Sequence, residues 1–360
     1  MMSNVYFLTR CFYKSNIFFV RGKSLTLQNI NPNIRDLFLM DLDDPVYLRY
    51  KRLKERLKQC PGSLPFEEML EATSGDMQSS GYKPLTFLRQ VASASLYPPL
   101  LEDECFPDDV KCKVKEILKH YRSVGGCTES VGVKMFRMKL ANYLRKRDCG
   151  VSRDHDDLML NGGVTEGIRN ILTLLYGFVD SKQPAVVIPS PSYPYGIIEE
   201  LGFKQISYEL DEENCWASTT ENMECAIADA KEKYALRAMV IINPSNPTST
   251  VLRLNELEEI VKFTCKEKMI LIVDETYQRN VYEGNKFYSI KKVMADMGKP
   301  YSEMEMVSLF GLSKDVVGET GIRGGLMELQ NFDKEIMHHL EKYLSVTKCP
   351  NSIDNDVCFC

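Results

Sequence analysis

Residues 239–277 have the sequence MVIINPSNPTSTVLRLNELEEIVKFTCKEKMILIVDETY, in which two apolar runs flank a helical pattern. The runs Met239–Ile242 and Met269–Val273 are bounded by polar turns, as expected of parallel strands that are buried on both faces. Leu254–Glu267, which lies between them, has the spacing of an amphipathic helix. This order predicts a βαβ unit and an α/β fold with a mostly parallel central sheet flanked by helices.

The same alternation of short apolar runs and helical patterns continues on both sides of this unit. Strand-like runs occur at Leu158–Leu160, Ala185–Ile188, Phe203–Tyr208 and Met306–Phe310, and helical patterns occur at Glu166–Leu175 and Tyr195–Leu201. Further helices are predicted at Tyr47–Leu57, Asp108–Leu118 and Val133–Leu144. The glycines at positions 125 and 126 break the last two apart, so a helix, a loop and a helix lead into the main domain.

The composition of the 360-residue chain is that of an ordinary globular protein, and it narrows the range of partners. The 45 basic and 50 acidic residues give a net charge of -5, which disfavours a nucleic-acid partner because no basic field is available for phosphates. Twelve cysteines without CxxC pairs, together with four histidines, indicate neither a metal site nor a disulfide framework. No apolar run approaches the roughly 20 residues of a membrane span. We therefore expect a small-molecule partner.

The amino terminus is basic and contains interleaved aromatic residues. No acidic residue precedes Asp36, whereas the segment contains Arg10, Lys14, Arg21, Lys23 and Arg35. This pattern resembles a mitochondrial presequence over residues 1–23, and a disordered terminus is the alternative. The expected location is therefore mitochondrial, with a cytoplasmic location as the alternative.

Ligands of parallel sheets gather at the carboxyl ends of the strands, so the polar residues that follow each apolar run are candidates for a site. The run that ends at Leu160 is followed by Asn161-Gly162-Gly163-Val164-Thr165 and a helix, which together predict an anion cradle of backbone N–H groups. A structural glycine turn is the alternative at this position. After Ile242, the doubled Asn-Pro sequence predicts a rigidly placed amide at Asn246, where a plain turn is the alternative.

Two further strand endings offer charged groups. Asp274 and Glu275 follow Val273, with Tyr277 close behind, and a buried carboxylate there needs a cationic partner unless Asp274 caps a helix. Lys314 follows Phe310, and burial would free its amine for imine chemistry, although most single lysines are solvated. The guanidinium of Arg323 could form two hydrogen bonds to a phosphate. A phosphate cradle, an acid, an amide and an amine are together what pyridoxal phosphate requires.

From about Leu25 to Pro350 the sequence resembles the fold-type I pyridoxal-phosphate aminotransferases, class I/II, and within them the alanine aminotransferase subgroup. The resemblance is carried by INPNIRD at Ile30, TFLRQV at Thr86, YPPLL at Tyr97, YLRKRD at Tyr143, INPSNPT at Ile242, VDETYQRNVY at Val273 and IRGGLMEL at Ile322. It implies a homodimer, an amino-terminal arm with part of a small domain at 24–107, and a large cofactor-binding domain at 108–350.

The resemblance also assigns a role to each site residue. Lys314 would hold pyridoxal 5′-phosphate as a Schiff base and move the proton between Cα and C4′. Asp274 would pair with the pyridinium nitrogen, and Asn246 and Tyr277 would contact the ring hydroxyl oxygen. Tyr193 in SPSYPY would stack on the ring, with a core tyrosine as the alternative. Val164, Thr165 and Arg323 would hold the phosphate, and Gly75 would approach the substrate.

Three residues depart from the pattern of this subgroup. Cys127 replaces a tyrosine that reaches the neighbouring subunit's cofactor phosphate, Gly311 replaces a serine that contacts phosphate, and Ser249 replaces a glycine. The segment 351–360 reads as an atypical tail where relatives continue through a small domain with a substrate-binding arginine. The expected small domain is therefore incomplete, as in a truncated gene model or a splice product.

Three functions follow from this reading. The first is transamination of L-alanine with 2-oxoglutarate to give pyruvate and L-glutamate. The second is an impaired fragment that binds the cofactor weakly or only dimerises. The third is a different reaction of the same cofactor, such as elimination or decarboxylation, because the same set of cofactor-binding residues serves several reactions.

Overall fold

The computed structural model of the chain describes residues 30–35, 37, 44–70, 75–120, 124–151, 154–193 and 195–348. The expectations for residues 1–23 and 351–360, as well as most of the arm before Asp44, lie outside the described residues.

Each of the six predicted helical segments forms a helix whose ends lie within three residues of the prediction, whereas the other helices of the described residues were not predicted. The helices of the described residues are α1 Pro32–Arg35, α2 Pro45–Gln59, α3 Thr86–Leu96, α4 Asp108–Leu118, α5 Lys134–Arg147, α6 Val164–Leu175, α7 Gly196–Glu200, α8 Thr220–Ala228, α9 Ala230–Lys233, α10 Leu254–Lys266, α11 Ile290–Met297 and α12 Lys334–Lys348. Helix α2 illustrates the local cause: Asp44 accepts a hydrogen bond from the Tyr47 N–H at 2.8 Å, and Pro45 occupies the first helical position. In the described part of the chain, none of the helices is long and apolar enough to cross a membrane.

In the part of the chain that the structure describes, seven strands form one sheet in the order β1-β7-β6-β5-β4-β2-β3. They are β1 Leu158–Asn161, β2 Gln183–Ser190, β3 Lys204–Glu209, β4 Tyr234–Ile242, β5 Ile270–Asp274, β6 Met306–Gly311 and β7 Gly325–Gln330. The five strands from β6 to β3 in this order pair in parallel, which confirms the mostly parallel sheet. Strand β7 was not predicted, and it is antiparallel to both β1 and β6.

Alternate residues of each strand pack on opposite faces of the sheet, which is why the strands read as unbroken apolar runs. Val240, Ile242 and Ile272 face the cluster that includes α6 and α12. Met239, Ile241 and Leu271 face the second cluster, with α10 and α11. Burial on both faces makes the sheet a rigid platform for the residues that follow its strands.

The topology brings the candidate residues to one edge of the sheet. Because β7 is antiparallel to both neighbours, β1 and β6 run in the same direction, and their carboxyl ends meet at the start of β7. Asn161 and Gly311 both pair with Gly325, and Asp274 pairs with Ile242 and Leu309. The ends of β1, β4, β5 and β6 therefore surround a single region, as the sequence predicted.

Candidate active site

Lys314 lies in a loop that follows β6 and folds back on itself. Within residues 312–320, which we call the lysine loop, the Gly318 N–H donates to the Lys314 carbonyl at 3.1 Å and the Glu319 N–H donates to the Leu312 carbonyl at 2.8 Å. The Lys314 amine donates to the Gly75 carbonyl oxygen at 2.7 Å. Burial lowers the pKa of Lys314, an effect that Asp76 opposes and Arg323 reinforces. The amine is thus closer to its neutral, nucleophilic form than a solvated lysine would be.

Asp274 ends β5 as a buried carboxylate. Its Oδ1 accepts from the Thr276 N–H at 3.0 Å and its Oδ2 accepts from the Tyr195 hydroxyl at 3.2 Å. Within the described residues, no lysine, arginine or histidine pairs with it. Burial accordingly raises the pKa of Asp274. Asp274 does not cap a helix, because the next one begins only at Ile290.

The neighbouring carboxylate, Glu275, points into the protein and has the cationic partner that the sequence called for. Arg147 Nη1 lies 2.8 Å from Glu275 Oε2, and the Ser308 hydroxyl donates to the same oxygen at 2.8 Å. The Glu275 N–H also donates to the Leu309 carbonyl at 2.7 Å, which continues the β5–β6 pairing. Glu275 therefore anchors the end of β5, while Asp274 is left facing the site.

Asn246 and Tyr277 lie together, as expected for two groups that bind one oxygen. The Asn246 amide donates to the Tyr277 hydroxyl at 3.4 Å, and burial raises the pKa of Tyr277. Tyr193 is 43% exposed, so the alternative of a core tyrosine is wrong. Its ring packs edge-on against Tyr195 with a centroid separation of 5.2 Å. Tyr193 is therefore the exposed member of this aromatic pair, since Tyr195 is buried.

The segment predicted to bind an anion is the start of α6. Gly163 is the N-cap residue with φ 103°, a left-handed conformation that favours glycine, and no side chain caps the helix there. A Cβ at Gly163 would lie 2.5 Å from Arg323 Nη2, so the guanidinium sits directly over the turn. Arg323 also donates to the Thr320 carbonyl at 3.0 Å. The first N–H groups of α6, from Val164 and Thr165, therefore lie beside a guanidinium.

The arm's Gly75 approaches the amine with its backbone. A Cβ at Gly75 would overlap Lys314 Nζ, so a larger residue there would require the lysine side chain to shift. Thr73 and Ser74, which belong to the same predicted turn, lie outside the described residues.

The three departures from the subgroup have different structural settings. Cys127 is exposed, in the loop before α5. A Cβ at Gly311 would lie 2.9 Å from the Gly324 carbonyl oxygen, so the backbone leaves no room for a serine without a shift. Ser249 has φ 59°, a left-handed conformation that favours glycine.

Two site residues were not predicted from the sequence. Tyr195 donates to Asp274, and only its position two residues after Tyr193 could have suggested this role. Glu166 accepts from the Gly162 N–H at 2.7 Å and lies 2.9 Å from Lys348 Nζ. The acidic residue at the third helical position of α6 was the available signal for this contact.

The fold and the site together define a class of protein. Residues 98–345 match the family model described as aminotransferase class I and II, and the chain belongs to this family. Class I and II aminotransferases use pyridoxal 5′-phosphate.

Several relatives of the chain are named alanine aminotransferases, which is a narrower group than the family. The chain is 38% identical to alanine aminotransferase 2 of Xenopus laevis over 335 residues, covering 91% of this chain and 62% of that protein. It is 36% identical to human alanine aminotransferase 1, covering 92% of this chain and 68% of that protein. It is also 36% identical to a probable mitochondrial alanine aminotransferase of Dictyostelium discoideum, covering 92% and 64%. The chain thus spans less than two thirds of the length of the Xenopus relative.

Solved structures share the fold. Alanine aminotransferase from Pyrococcus furiosus superposes with a TM-score of 0.67 at 22% identity, covering 91% of this chain and 70% of that chain. Aspartate aminotransferase from Thermotoga maritima superposes with a TM-score of 0.64 at 18% identity, covering 92% and 73%.

The residues present fit pyridoxal 5′-phosphate on the structure's own terms. A buried carboxylate that lacks a cation suits a protonated ring nitrogen, because that nitrogen would supply the missing charge. A helix start without a side-chain cap, with a guanidinium over it, suits a phosphate. A partly buried amine of lowered pKa suits an aldehyde.

Proposed function

We propose that this chain binds pyridoxal 5′-phosphate and takes part in transamination. The observation that carries the proposal is the pair formed across adjacent strands: a buried, uncompensated Asp274 at the end of β5 and an amine of lowered pKa, Lys314, just after β6. When bound, the cofactor supplies an electron sink that stabilises negative charge at the Cα of an amino acid.

Each residue has a specific part in this proposal. The Lys314 amine would hold the cofactor aldehyde and would act as the proton donor and acceptor beside it. The Asp274 carboxylate would hold the proton of the ring nitrogen, and Asn246 and Tyr277, which are hydrogen bonded to each other, would contact the ring hydroxyl oxygen. Tyr193 would pack on the ring.

Separate groups would hold the phosphate and border the substrate in this proposal. Val164 and Thr165 would donate their backbone N–H groups to the phosphate, and Arg323 would add a charge-assisted contact. The Gly75 backbone borders the substrate, since it already lies 2.7 Å from the amine.

The substrates proposed are L-alanine and 2-oxoglutarate, which give pyruvate and L-glutamate. This choice is supported by the names of the relatives that are 36–38% identical to the chain. A homodimer is proposed as the assembly. A mitochondrial location is proposed from the basic, acid-free start of the sequence and from the name of the Dictyostelium relative.

Covalent mapping of the cofactor tests the proposal directly. Pyridoxal 5′-phosphate is added to the purified chain, the adduct is reduced with borohydride and the labelled peptide is identified by mass spectrometry. We expect the label on Lys314, loss of the label and of the visible absorbance in Lys314→Ala, and no change in Lys299→Ala, an exposed lysine. A label spread over surface lysines in the unaltered chain would refute the assignment.

Turnover is tested separately by following pyruvate formation from L-alanine and 2-oxoglutarate. Cofactor binding without turnover is the second candidate function, favoured by Gly311 and Cys127 in place of residues that contact phosphate in the subgroup. A Lys314 adduct whose absorbance does not change on adding L-alanine would support this second function over the first.

A further inference from the structure

The arm carries no regular structure between Gly75 and Tyr82, yet it lies across the lysine loop. We call residues 75–82 the arm strap. Two hydrogen bonds join the strap to the lysine loop: the Tyr82 hydroxyl donates to the Val316 carbonyl at 2.5 Å, and the Gln78 amide donates to the Gly318 carbonyl at 3.2 Å. These two hydrogen bonds hold the strap against the loop at Tyr82 and at Gln78.

Glu319 is the point on which the contacts converge. Arg89, in the first turn of α3, donates through Nε to Glu319 Oε1 at 2.8 Å and through Nη2 to Oε2 at 2.7 Å. The Gln78 amide donates to Oε2 at 2.9 Å. The Glu319 side chain is 1% exposed, so without this fork its charge would be buried and poorly compensated.

Glu319 is in turn fixed relative to Lys314. Its N–H donates to the Leu312 carbonyl at 2.8 Å, and the neighbouring Thr320 hydroxyl donates to the Ser313 carbonyl at 2.7 Å. The lysine loop is therefore closed on itself, and a group that binds Glu319 is placed relative to the amine. The strap meets this loop at Gly75, whose carbonyl accepts from the Lys314 amine.

We propose that Arg89 and Glu319 are positioning residues, whose ion pair, between a half-exposed guanidinium and a buried carboxylate, clamps the arm strap over Lys314 and so sets the orientation and the solvation of its amine. We call the Arg89–Glu319 ion pair and its contact with the strap the clamp. The clamp is inferred from the contacts alone, whereas its importance for cofactor attachment rests on the proposed function. Neither residue touches the amine, and both act through the strap.

Release of the strap has a predictable effect on the amine. Burial is the largest cause of the lowered pKa of Lys314, and Asp76 of the strap opposes it. Undocking removes both influences, and since burial is the larger one, the pKa of Lys314 should rise toward its ordinary value.

The test uses the full, cofactor-free chain with Arg89→Ala, Arg89→Lys and Glu319→Gln. Hydrogen exchange reports the amides of Gly81 and Tyr82, which are bonded within the strap to Gln78 and Met77. The pH dependence of Lys314 labelling by acetic anhydride, read by mass spectrometry, reports the amine. Arg145→Ala is the matched control, because Arg145 is an exposed arginine on α5 away from the strap.

We expect strap exchange to accelerate about ten- to hundredfold in Arg89→Ala, since a lost hydrogen bond to a charged group has that weight. Arg89→Lys, which keeps the charge without the fork, should fall between Arg89→Ala and the control. The labelling pKa of Lys314 should rise in step with exchange. Tyr82→Phe, which removes one neutral hydrogen bond, should give a smaller change in the same direction and serves if the charged variants do not fold.

Faster exchange with an unchanged labelling pKa would overturn the inference while leaving the proposed function intact. Unchanged exchange in Arg89→Ala and Tyr82→Phe would overturn it as well. Failure of the unaltered chain to form a Lys314 adduct would instead refute the proposed function and leave the clamp standing.

Discussion

Replacing Lys291 with methionine should destabilise the folded chain by about 3–5 kcal/mol at neutral pH, because the change breaks a buried ion pair and leaves a carboxylate behind. Lys291, on α11, is 1% exposed, and its amine lies 2.9 Å from Asp148 Oδ2 and 2.7 Å from Glu328 Oε1. Methionine fills most of the same volume as lysine, so the decrease in the free energy of unfolding reports the removal of the Lys291 charge.

Replacing Lys291 affects Glu328 more than Asp148, because Asp148 has other partners. Asp148 keeps Arg147 at 2.7 Å and the Ser289 hydroxyl at 2.7 Å. Of the described residues, Lys291 alone hydrogen bonds to the Glu328 carboxylate, whose burial raises its pKa even in the unaltered chain. Since a domain is stable by only about 5–15 kcal/mol, the expected loss is a large share of the total.

Urea unfolding at pH 8 and at pH 5.5 measures the effect. A carboxyl group with a raised folded-state pKa disfavours folding once the pH exceeds its unfolded value, about 4.3, so the loss should be smaller at pH 5.5. Lys292→Met, which removes a partly exposed pair with Asp296, should cost at most about 1 kcal/mol.

The double variant Lys291→Met/Glu328→Gln should recover much of the loss, because no unpaired charge remains. If Lys291→Met is no less stable than Lys292→Met, or if the double variant is worse than the single one, the reasoning from buried charge is refuted.

Three further changes follow from single backbone positions. Ser249→Gly should stabilise the chain by about 0.5–1 kcal/mol in thermal unfolding, since Ser249 has φ 59°; a loss of stability would contradict this. Gly311→Ser should destabilise it by about 1–3 kcal/mol, because its Cβ would lie 2.9 Å from the Gly324 oxygen, and unchanged stability would show that the strand end yields freely. Gly163→Ala, with φ 103° and Arg323 overhead, should weaken cofactor binding at least about tenfold by fluorescence titration, and unaltered affinity would exclude this turn as the phosphate site.

Much of the sheet was predictable because its central strands are buried on both faces and therefore read as apolar runs. Strand β7 escaped prediction because Glu328 and Gln330 interrupt its pattern, although both are buried. The partner that permits a carboxylate there, Lys291, lies 37 residues earlier on α11, and no local pattern connects the two.

The candidate site likewise contains residues that the sequence predicted and contacts that it did not. Asn246, Asp274 and Lys314 follow apolar runs, so the rule that ligands gather at carboxyl ends of strands was enough to select them. The contact between Arg89 and Glu319 spans 230 positions and depends on how the arm docks, which periodicity cannot report. Likewise, the sequence offered two adjacent carboxylates without indicating that Glu275 takes the arginine and Asp274 takes none.

The uncompensated carboxylate of Asp274 links folding to ligand supply. A cation that enters the site relieves an electrostatic penalty that only the native state bears, so the ligand binds the native state in preference to the unfolded one. The midpoint of thermal unfolding should then climb with ligand concentration.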